Sequence, residues 1–295
     1  MLTVTTVNVN GIRAAVKQRS ETNLGFLPWL EGSSADVVLL QEVRATEEQT
    51  LAALEPALAA GWHYVGAPAA AKGRAGVGIL SREALHDVHI GIPGFEDAGR
   101  FISGQLGDVT LASLYLPSGS ADSPKQDEKY FFLDAFSEVL ANLAEREQVV
   151  IGGDWNICHR RQDLKNWKPN QKKSGFLPDE RAFMDSVFGC YPDEDTQVEG
   201  AGKFAGAVEY AGVPRELASD PVWFDVARRL HPEEDGPYTW WAYRGKAFDT
   251  NAGWRIDYQA VTKRMLDRAV AVSVEKPDAY DLRWSDHAPL TVTYH

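Results

Sequence analysis

Gln148-Val149-Val150-Ile151-Gly152-Gly153-Asp154-Trp155-Asn156 decides how this chain is read. A short β-branched run closing in two glycines reads as a central strand, and a carboxylate and an amide follow where the strand stops. The pattern recurs. Val7-Asn8-Val9-Asn10-Gly11 ends a first strand, Leu39-Leu40-Gln41-Glu42 a second and Trp254-Arg255-Ile256-Asp257 a late one, and Ser285-Asp286-His287 precedes the last. If they converge at one edge of a sandwich, these ends build a site from five separated segments.

Outward from these points, strand-like segments are expected at Leu2 to Val9, Asp36 to Leu40, Val77 to Leu80, Phe101 to Leu106, Val109 to Leu116, Gln148 to Gly152, Arg255 to Val261, Val270 to Val274 and Pro289 to Tyr294. Helices are expected at Thr46 to Ala59, at Lys125 to Arg146 and at Pro178 to Phe188, whose first turn carries Pro, Asp and Glu. In the second of these, Tyr130, Phe131, Leu133, Phe136, Val139, Leu140 and Leu143 recur at helical spacing. Gly107-Asp108 between two strands predicts an antiparallel hairpin, so the class is mixed α and β. With 295 residues and no repeat or low-complexity tract, one domain over 1–295 is expected, the stretch Gly200 to Pro214 reading as an inserted loop.

Cys158 and Cys190 make neither a disulfide framework nor a zinc pattern, which fits a reducing cytoplasm. Met1 enters a strand at once with no leader pattern ahead of it, and no apolar run approaches the ~20 residues that cross a bilayer. A cytoplasmic protein with no membrane partner is expected. The net charge of −12 argues against phosphate-rich partners unless the cations are segregated. His159 to Arg181 offers segregation, since Arg160, Arg161, Lys165, Lys168, Lys172, Lys173 and Arg181 against Asp163, Asp179 and Glu180 leave +4 locally. The plainer alternative is a solvated charged loop.

Each strand-end residue has an ordinary explanation when taken alone: Asn8 and Asn10 form turns, Glu42 starts a helix, Asp154 follows a glycine turn and His287 sits in a core. Together they are the inventory of phosphodiester hydrolysis. A hard cation takes one or two carboxylates and further oxygens, which Glu42 with Asn10 and Asp286 supply. A nucleophilic water needs an acceptor and an orienting group, suited to Asp154 and Asn156, and developing phosphate charge needs a donor such as Tyr115 or His287. Asp257 bonded to His287 fixes its tautomer and raises its pKa. A serine hydrolase triad is a weak alternative, because no Ser stands in a nucleophile elbow.

The chain resembles the exonuclease-endonuclease-phosphatase superfamily, and within it the abasic-site endonucleases of the exonuclease III type. Six motifs carry the resemblance in order along nearly the whole chain: Asn8-Val9-Asn10-Gly11-Ile12-Arg13-Ala14, Leu40-Gln41-Glu42, Tyr115-Leu116-Pro117, Gly152-Gly153-Asp154-Trp155-Asn156, Arg255-Ile256-Asp257-Tyr258 and Ser285-Asp286-His287-Ala288-Pro289. It implies an α/β fold of the DNase I-like kind, a four-layer αββα sandwich of two mixed sheets with helices outside. It also implies Mg2+ (or Mn2+) held chiefly by Glu42, with Asn10 and Asp286 at or near the metal. Asp154 would accept the water's proton and Asn156 orient it. Tyr115 and Asn8 would contact the scissile phosphate, and His287, held by Asp257, would stabilise it; a rival scheme makes the histidine the base.

Lys172-Lys173-Ser174-Gly175-Phe176-Leu177-Pro178-Asp179-Glu180-Arg181 and Tyr238-Thr239-Trp240-Trp241 resemble the exonuclease III type in particular. By that resemblance Trp240, Trp254 and Ile256 line a slot for a flipped-out sugar that has lost its base, whereas Trp241 reads as core. Arg13 and Lys17, with Lys172 and Lys173, would meet DNA phosphates, which position without specifying sequence. Ser118 departs from relatives, which often carry an amide there. The implied activity is incision 5′ to abasic sites in double-stranded DNA, with 3′ to 5′ exonuclease and 3′ phosphatase action at blocked 3′ ends, by a monomer. Two rivals are a phosphodiesterase or phosphatase for lipid or inositol phosphates, for which no amphipathic basic helix is found, and a catalytically silent DNA-binding module, which predicts a missing site residue.

Overall fold

Val37, Val38, Leu39 and Leu40 are all buried, yet odd and even positions enter different cores, and that split generates the layers. The computed structural model describes residues 1–192 and 215–295, so the expected loop at Gly200 to Pro214 lies outside the described residues. The strands are β1 (Leu2–Asn8), β2 (Val37–Gln41), β3 (His63–Ala67), β4 (Val77–Ser81), β5 (His86–Ile90), β6 (Phe101–Leu106), β7 (Val109–Tyr115), β8 (Val149–Asp154), β9 (Phe224–Asp225), β10 (Asp257–Val261), β11 (Ala269–Val274) and β12 (Leu290–Tyr294). One sheet runs β11-β12-β1-β2-β4-β3 and the other β5-β6-β7-β8-β10-β9. Both are mixed, since β1 is parallel to β2 but antiparallel to β12, and β7 is parallel to β8 but antiparallel to β6.

Val4, Leu39, Ile79 and Val292 of the first sheet meet Ile102, Leu111, Val150 and Val261 of the second. On the first sheet's outer face, Val7, Val38, Leu40 and Leu80 pack against the helices Phe26–Gly32 and Glu47–Ala59. On the second sheet's outer face, Leu114, Ile151 and Tyr258 pack against the helices Pro124–Leu143 and Pro178–Phe188. The four-layer αββα sandwich expected from the resemblance is the observed fold. Gly152 permits its closeness: a Cβ there would lie 2.5 Å from Leu39 Cδ1 of the facing sheet.

Three expectations need correction. Asp257 opens β10 rather than closing a strand, and because β10 is antiparallel to β8, its first residue stands opposite Asp154. Phe131 is 49% exposed, because it lies one step round its helix from the buried Tyr130, Leu133, Phe136 and Leu140. The local sum of +4 from His159 to Arg181 does not describe the surface, because Arg160 and Arg181 are buried and so are all three acidic residues, Asp163, Asp179 and Glu180. Within the segment, Asp163 is enclosed between Arg228 at 2.5 Å and Arg255 at 2.8 Å. Burial alone would raise the Asp163 pKa, but Arg255 and Arg228 outweigh it and hold the carboxyl well below its usual range. The exposed cations left in the segment are Arg161, Lys165, Lys168, Lys172 and Lys173.

Candidate active site

Strand direction brings the polar ends together. Asn8 of β1 stands opposite Gln41 of β2, and Asp154 of β8 has Tyr115 of β7 on one side and Asp257 of β10 on the other. Ser285 ties in the last segment, its Oγ donating to the Asn8 carbonyl at 2.6 Å. Asn10, Glu42 and Asn156, each just past a strand end, have left-handed backbones with φ of 49°, 48° and 51°. That conformation is unusual outside glycine, least so for Asn, and such residues cluster at functional sites.

Asn8 is wholly buried and central. Its Nδ2 donates to Glu42 Oε1 and to Asp154 Oδ2, each at 3.0 Å, so both amide hydrogens are engaged by carboxylates. The Tyr115 hydroxyl also donates to Glu42 Oε1, at 2.7 Å. Asp154 Oδ1 accepts from the Asn156 backbone N–H at 3.0 Å, while Asn156 Nδ2 donates to the Leu116 carbonyl at 2.8 Å, which leaves the Asn156 side-chain oxygen to accept. His287 Nδ1 lies 2.8 Å from Asp257 Oδ2, and its Nε2 lies 3.6 Å from Asp154 Oδ2.

Burial opposes charge on His287, but Asp257 and Asp154 outweigh it and raise the imidazole from its usual 6.5 to about 10. Burial chiefly pushes the Asp154 pKa up as well, with His287 pulling the other way. Burial would also raise Glu42, yet the hydrogen bonds from Tyr115 and Asn8, together with Arg44, hold it below its ordinary value. A raised pKa means that His287 keeps its proton as pH rises through neutrality and loses it only in alkali. NMR of the metal-free protein is expected to show His287 titrating well above 6.5, and Asp257→Asn is expected to lower that value. A wild-type midpoint at or below 6.5 would contradict this reading.

The donor atoms of Asp154, Asp257 and His287 all lie within 4.8 Å of one another. The short Asp257 contact to His287 Nδ1 makes this buried group a proton-holding network first. Glu42 offers the better fit for a hard divalent ion: its Oε2 makes no hydrogen bond and faces the Arg44 guanidinium at 2.5 Å, so the position already attracts a cation. Asn10 and Asp286 are half-buried, and Tyr243 lies beside Asn10. Asp286 Oδ2 accepts from Trp240 Nε1 at 3.0 Å.

Trp240, Trp254 and Ile256 gather with Phe176, Leu164 and Cys158 in one apolar cluster. The two indoles meet edge to face, 5.9 Å apart. The Trp240 backbone bridges to both Trp254 and His287, so the apolar wall is joined directly to the polar site. Gly175, at φ +95°, lets the wall close: a Cβ there would lie 2.9 Å from Trp254 Cζ3. Trp241 is buried core, as expected. Arg13, Lys17, Lys172 and Lys173 are exposed.

Several residues beside the site escaped sequence reasoning. Arg44, Arg74, Arg100 and Lys125 line a groove that includes Glu42 and Tyr115, and the Arg100 guanidinium carbon lies 5.0 Å over the Tyr115 ring. Lys129 and Glu180 form a fully buried ion pair. Lys129 Nζ donates to the Asn156 carbonyl at 2.9 Å and the Ser118 carbonyl at 3.3 Å, and Glu180 Oε1 accepts from Gly175 N at 2.8 Å. Ser118 thus serves the site through its main chain. The available signal was a lysine on the apolar face of the Pro124–Leu143 helix.

Residues 5–287 match the model of the Endonuclease/Exonuclease/phosphatase family. An exodeoxyribonuclease of Bacillus subtilis is 28% identical over 96% of this chain and 95% of its own length. Among solved structures, the 3′ phosphatase NExo from Neisseria, bound to a product DNA hairpin, is 27% identical with a TM-score of 0.78 over 100% of both chains. An AP endonuclease from Archaeoglobus fulgidus is 25% identical with a TM-score of 0.75, over 100% of this chain and 99% of its own.

Proposed function

Because the chain belongs to the endonuclease/exonuclease/phosphatase family, we propose that it is a DNA repair nuclease of one domain, a hydrolase that incises 5′ to abasic sites. Action at 3′ ends, as exonuclease and phosphatase, accompanies incision. The DNA-bound 3′ phosphatase, the AP endonuclease and the exodeoxyribonuclease to which the chain is similar support DNA as substrate. The observation that carries the abasic reading is the junction at Trp240, whose backbone bridges Trp254 and His287 while its indole bonds Asp286. An apolar wall joined to a phosphodiesterase site suits a bare deoxyribose drawn out of the stack.

Mg2+ or Mn2+ held by Glu42, with Asn10 and Asp286, would neutralise charge developing on the phosphate and the leaving oxygen. Asp154 takes a proton from water, and Asn156 orients that water through its side-chain oxygen. The water oxygen bonds to phosphorus, the bond to the 3′ oxygen breaks, and that oxygen takes up a proton from solvent to leave as a 3′ hydroxyl. His287 arrives already protonated, so it donates to a phosphate oxygen rather than acting as the base, and Asp257 holds its ring. Tyr115 is the second phosphate donor. Asn8 holds Glu42 and Asp154 apart, and reaches the phosphate only by releasing one of them. Arg13, Lys17, Lys172 and Lys173 bind flanking phosphates, and at a net charge of −12 this binding is steeply salt-dependent.

No described helix is long and apolar enough to cross a membrane. We place the protein in the cytoplasm as a monomer. Incubation with an abasic duplex, a 3′-phosphorylated duplex and inositol phosphates tests the substrate class, and turnover of inositol phosphates alone would overturn it. Trp254→Ala is expected to lower abasic incision by roughly tenfold to a hundredfold, because the extruded sugar loses its wall. Removal of a 3′ phosphate, which needs no extruded sugar, is expected to fall less. Equal losses would count against the pocket.

A further inference from the structure

Lys129, on the helix Pro124–Leu143, is wholly buried with its partner Glu180. Hiding an ion pair costs hydration that its attraction often fails to return, and neutral residues of the same volume commonly serve stability as well. Glu180 has a structural task of its own, since its Oε1 accepts from Gly175 N at 2.8 Å and from Leu177 N at 3.0 Å, just ahead of the helix Pro178–Phe188. A neutral glutamine could accept both bonds. That task alone therefore calls for no lysine.

What the lysine adds is a donor aimed at main-chain carbonyls. Its Nζ reaches the Asn156 carbonyl at 2.9 Å and the Ser118 carbonyl at 3.3 Å, and the latter also accepts from Ser174 Oγ at 2.7 Å. Three segments thus meet at one ammonium: the one after β7, the one after β8, and the loop whose Gly175 backs Trp254. The Gly175 carbonyl accepts from Cys158 N at 2.8 Å, which closes the same loop onto the segment bearing Asn156.

Asn156 is the member that needs holding. Its left-handed backbone, with φ of 51°, persists only where the surroundings fix it. Its N–H is engaged by Asp154 Oδ1 at 3.0 Å and its side-chain NH2 by the Leu116 carbonyl at 2.8 Å. Lys129 secures the remaining main-chain group, and the side-chain oxygen is left to accept.

We infer that Lys129 is a positioning residue for hydrolysis: by holding the Asn156 carbonyl it fixes the backbone that directs the Asn156 side-chain oxygen at the attacking water, and it ties Asn156 to the loop that closes the apolar wall. The inference rests on the nuclease reading and on the role that reading gives Asn156. Lys129 is enclosed among protein groups and acts only through its neighbours. An orienting group displaced by about 1 Å can cost about a hundredfold in rate, so a buried donor behind Asn156 is felt in turnover.

The test replaces both charges at once. Lys129→Met with Glu180→Gln leaves no unpaired buried charge and keeps an oxygen for the Gly175 and Leu177 amides, so the variant is expected to fold. Its kcat is expected to fall roughly tenfold to a hundredfold for abasic incision and 3′ phosphate removal alike, with KM changed by less than about threefold. Wild-type kcat in this variant would make Lys129 a mere neutraliser of Glu180 and overturn the inference. In an Asn156→Ala background the same two substitutions are expected to lower kcat by less than about twofold further, whereas losses that multiply would overturn action through Asn156. A measurement on the wild-type chain needs no variant to fold: with 15N-labelled lysine and 13C-labelled carbonyls, NMR is expected to show a through-hydrogen-bond coupling between the Lys129 ammonium and the Asn156 carbonyl. Its absence would overturn the inference whatever the kinetics. A chain that shows the coupling but neither binds nor cuts any DNA would overturn the nuclease reading and, with it, the role in hydrolysis.

Discussion

Asp154→Asn is expected to lower kcat by about 10²- to 10⁴-fold while KM for an abasic duplex changes little. The carboxylate accepts from Asn8 Nδ2 and from Asn156 N, both at 3.0 Å, so an amide in its place must turn its NH2 toward one of two donors. It also loses the capacity to take a proton. Stability moves less than activity, because two effects oppose. The mispaired donor destabilises, but burial already raises the Asp154 pKa, so removing the charge relieves a folded-state cost at neutral pH. The rival assignment, with His287 as base, requires an unprotonated imidazole at neutral pH. Asp257 and Asp154 hold that proton on. Steady-state kinetics with Asp154→Asn separate the two schemes, and a variant retaining a tenth of wild-type kcat would transfer the base to another residue.

Glu42→Gln is expected to raise the Mg2+ concentration for half-maximal activity by more than about tenfold, and to depress abasic incision, exonuclease and 3′ phosphatase action together. The side-chain oxygen that accepts from Tyr115 at 2.7 Å and from Asn8 at 3.0 Å can be kept by the amide, so the hydrogen-bond frame survives while the charge does not. Arg44, 2.5 Å from Glu42 Oε2, then lacks its ionic partner. Calorimetric titration of the DNA-free protein with Mn2+ reads the same change without turnover. Unaltered metal affinity would remove Glu42 as the principal ligand.

The strands that carry the site were legible because burial on both faces leaves an apolar run that stops at a polar residue. Val37 to Leu40 and Val149 to Ile151 are such runs. β5 was not legible: His86 to Ile90 are all exposed on a sheet edge, so no buried face imposes a pattern. β3 was hidden differently, its Gly66 lying under the Tyr64 ring, which fills the space a side chain would take. The helix Phe26–Gly32 contains Pro28 and follows a glycine rather than a capping side chain, so it forms because Phe26 and Leu30 are buried.

Within the site, residues tied to strand ends could be read, and residues that arrive from elsewhere could not. Asp154, Asp257 and His287 stand in motifs beside apolar runs. Lys129 reaches Asn156 from a helix, and Tyr243 reaches Asn10 from a loop, contacts that depend on tertiary packing alone. The charged segment after His159 shows the opposite error. Its sum of +4 treats Arg160, Arg181, Asp163, Asp179 and Glu180 as surface groups, although all five are buried and the exposed charges are cations alone.

The central claim is metal-dependent incision of DNA at abasic sites. One duplex carrying a single abasic site, labelled at the 5′ end of that strand, tests it on a denaturing gel with Mg2+ and with chelator. A single nick 5′ to the site is predicted, bearing a 3′ hydroxyl that a polymerase extends and appearing only with metal. An abasic strand left intact with Mg2+, or cut equally in chelator, would contradict the account.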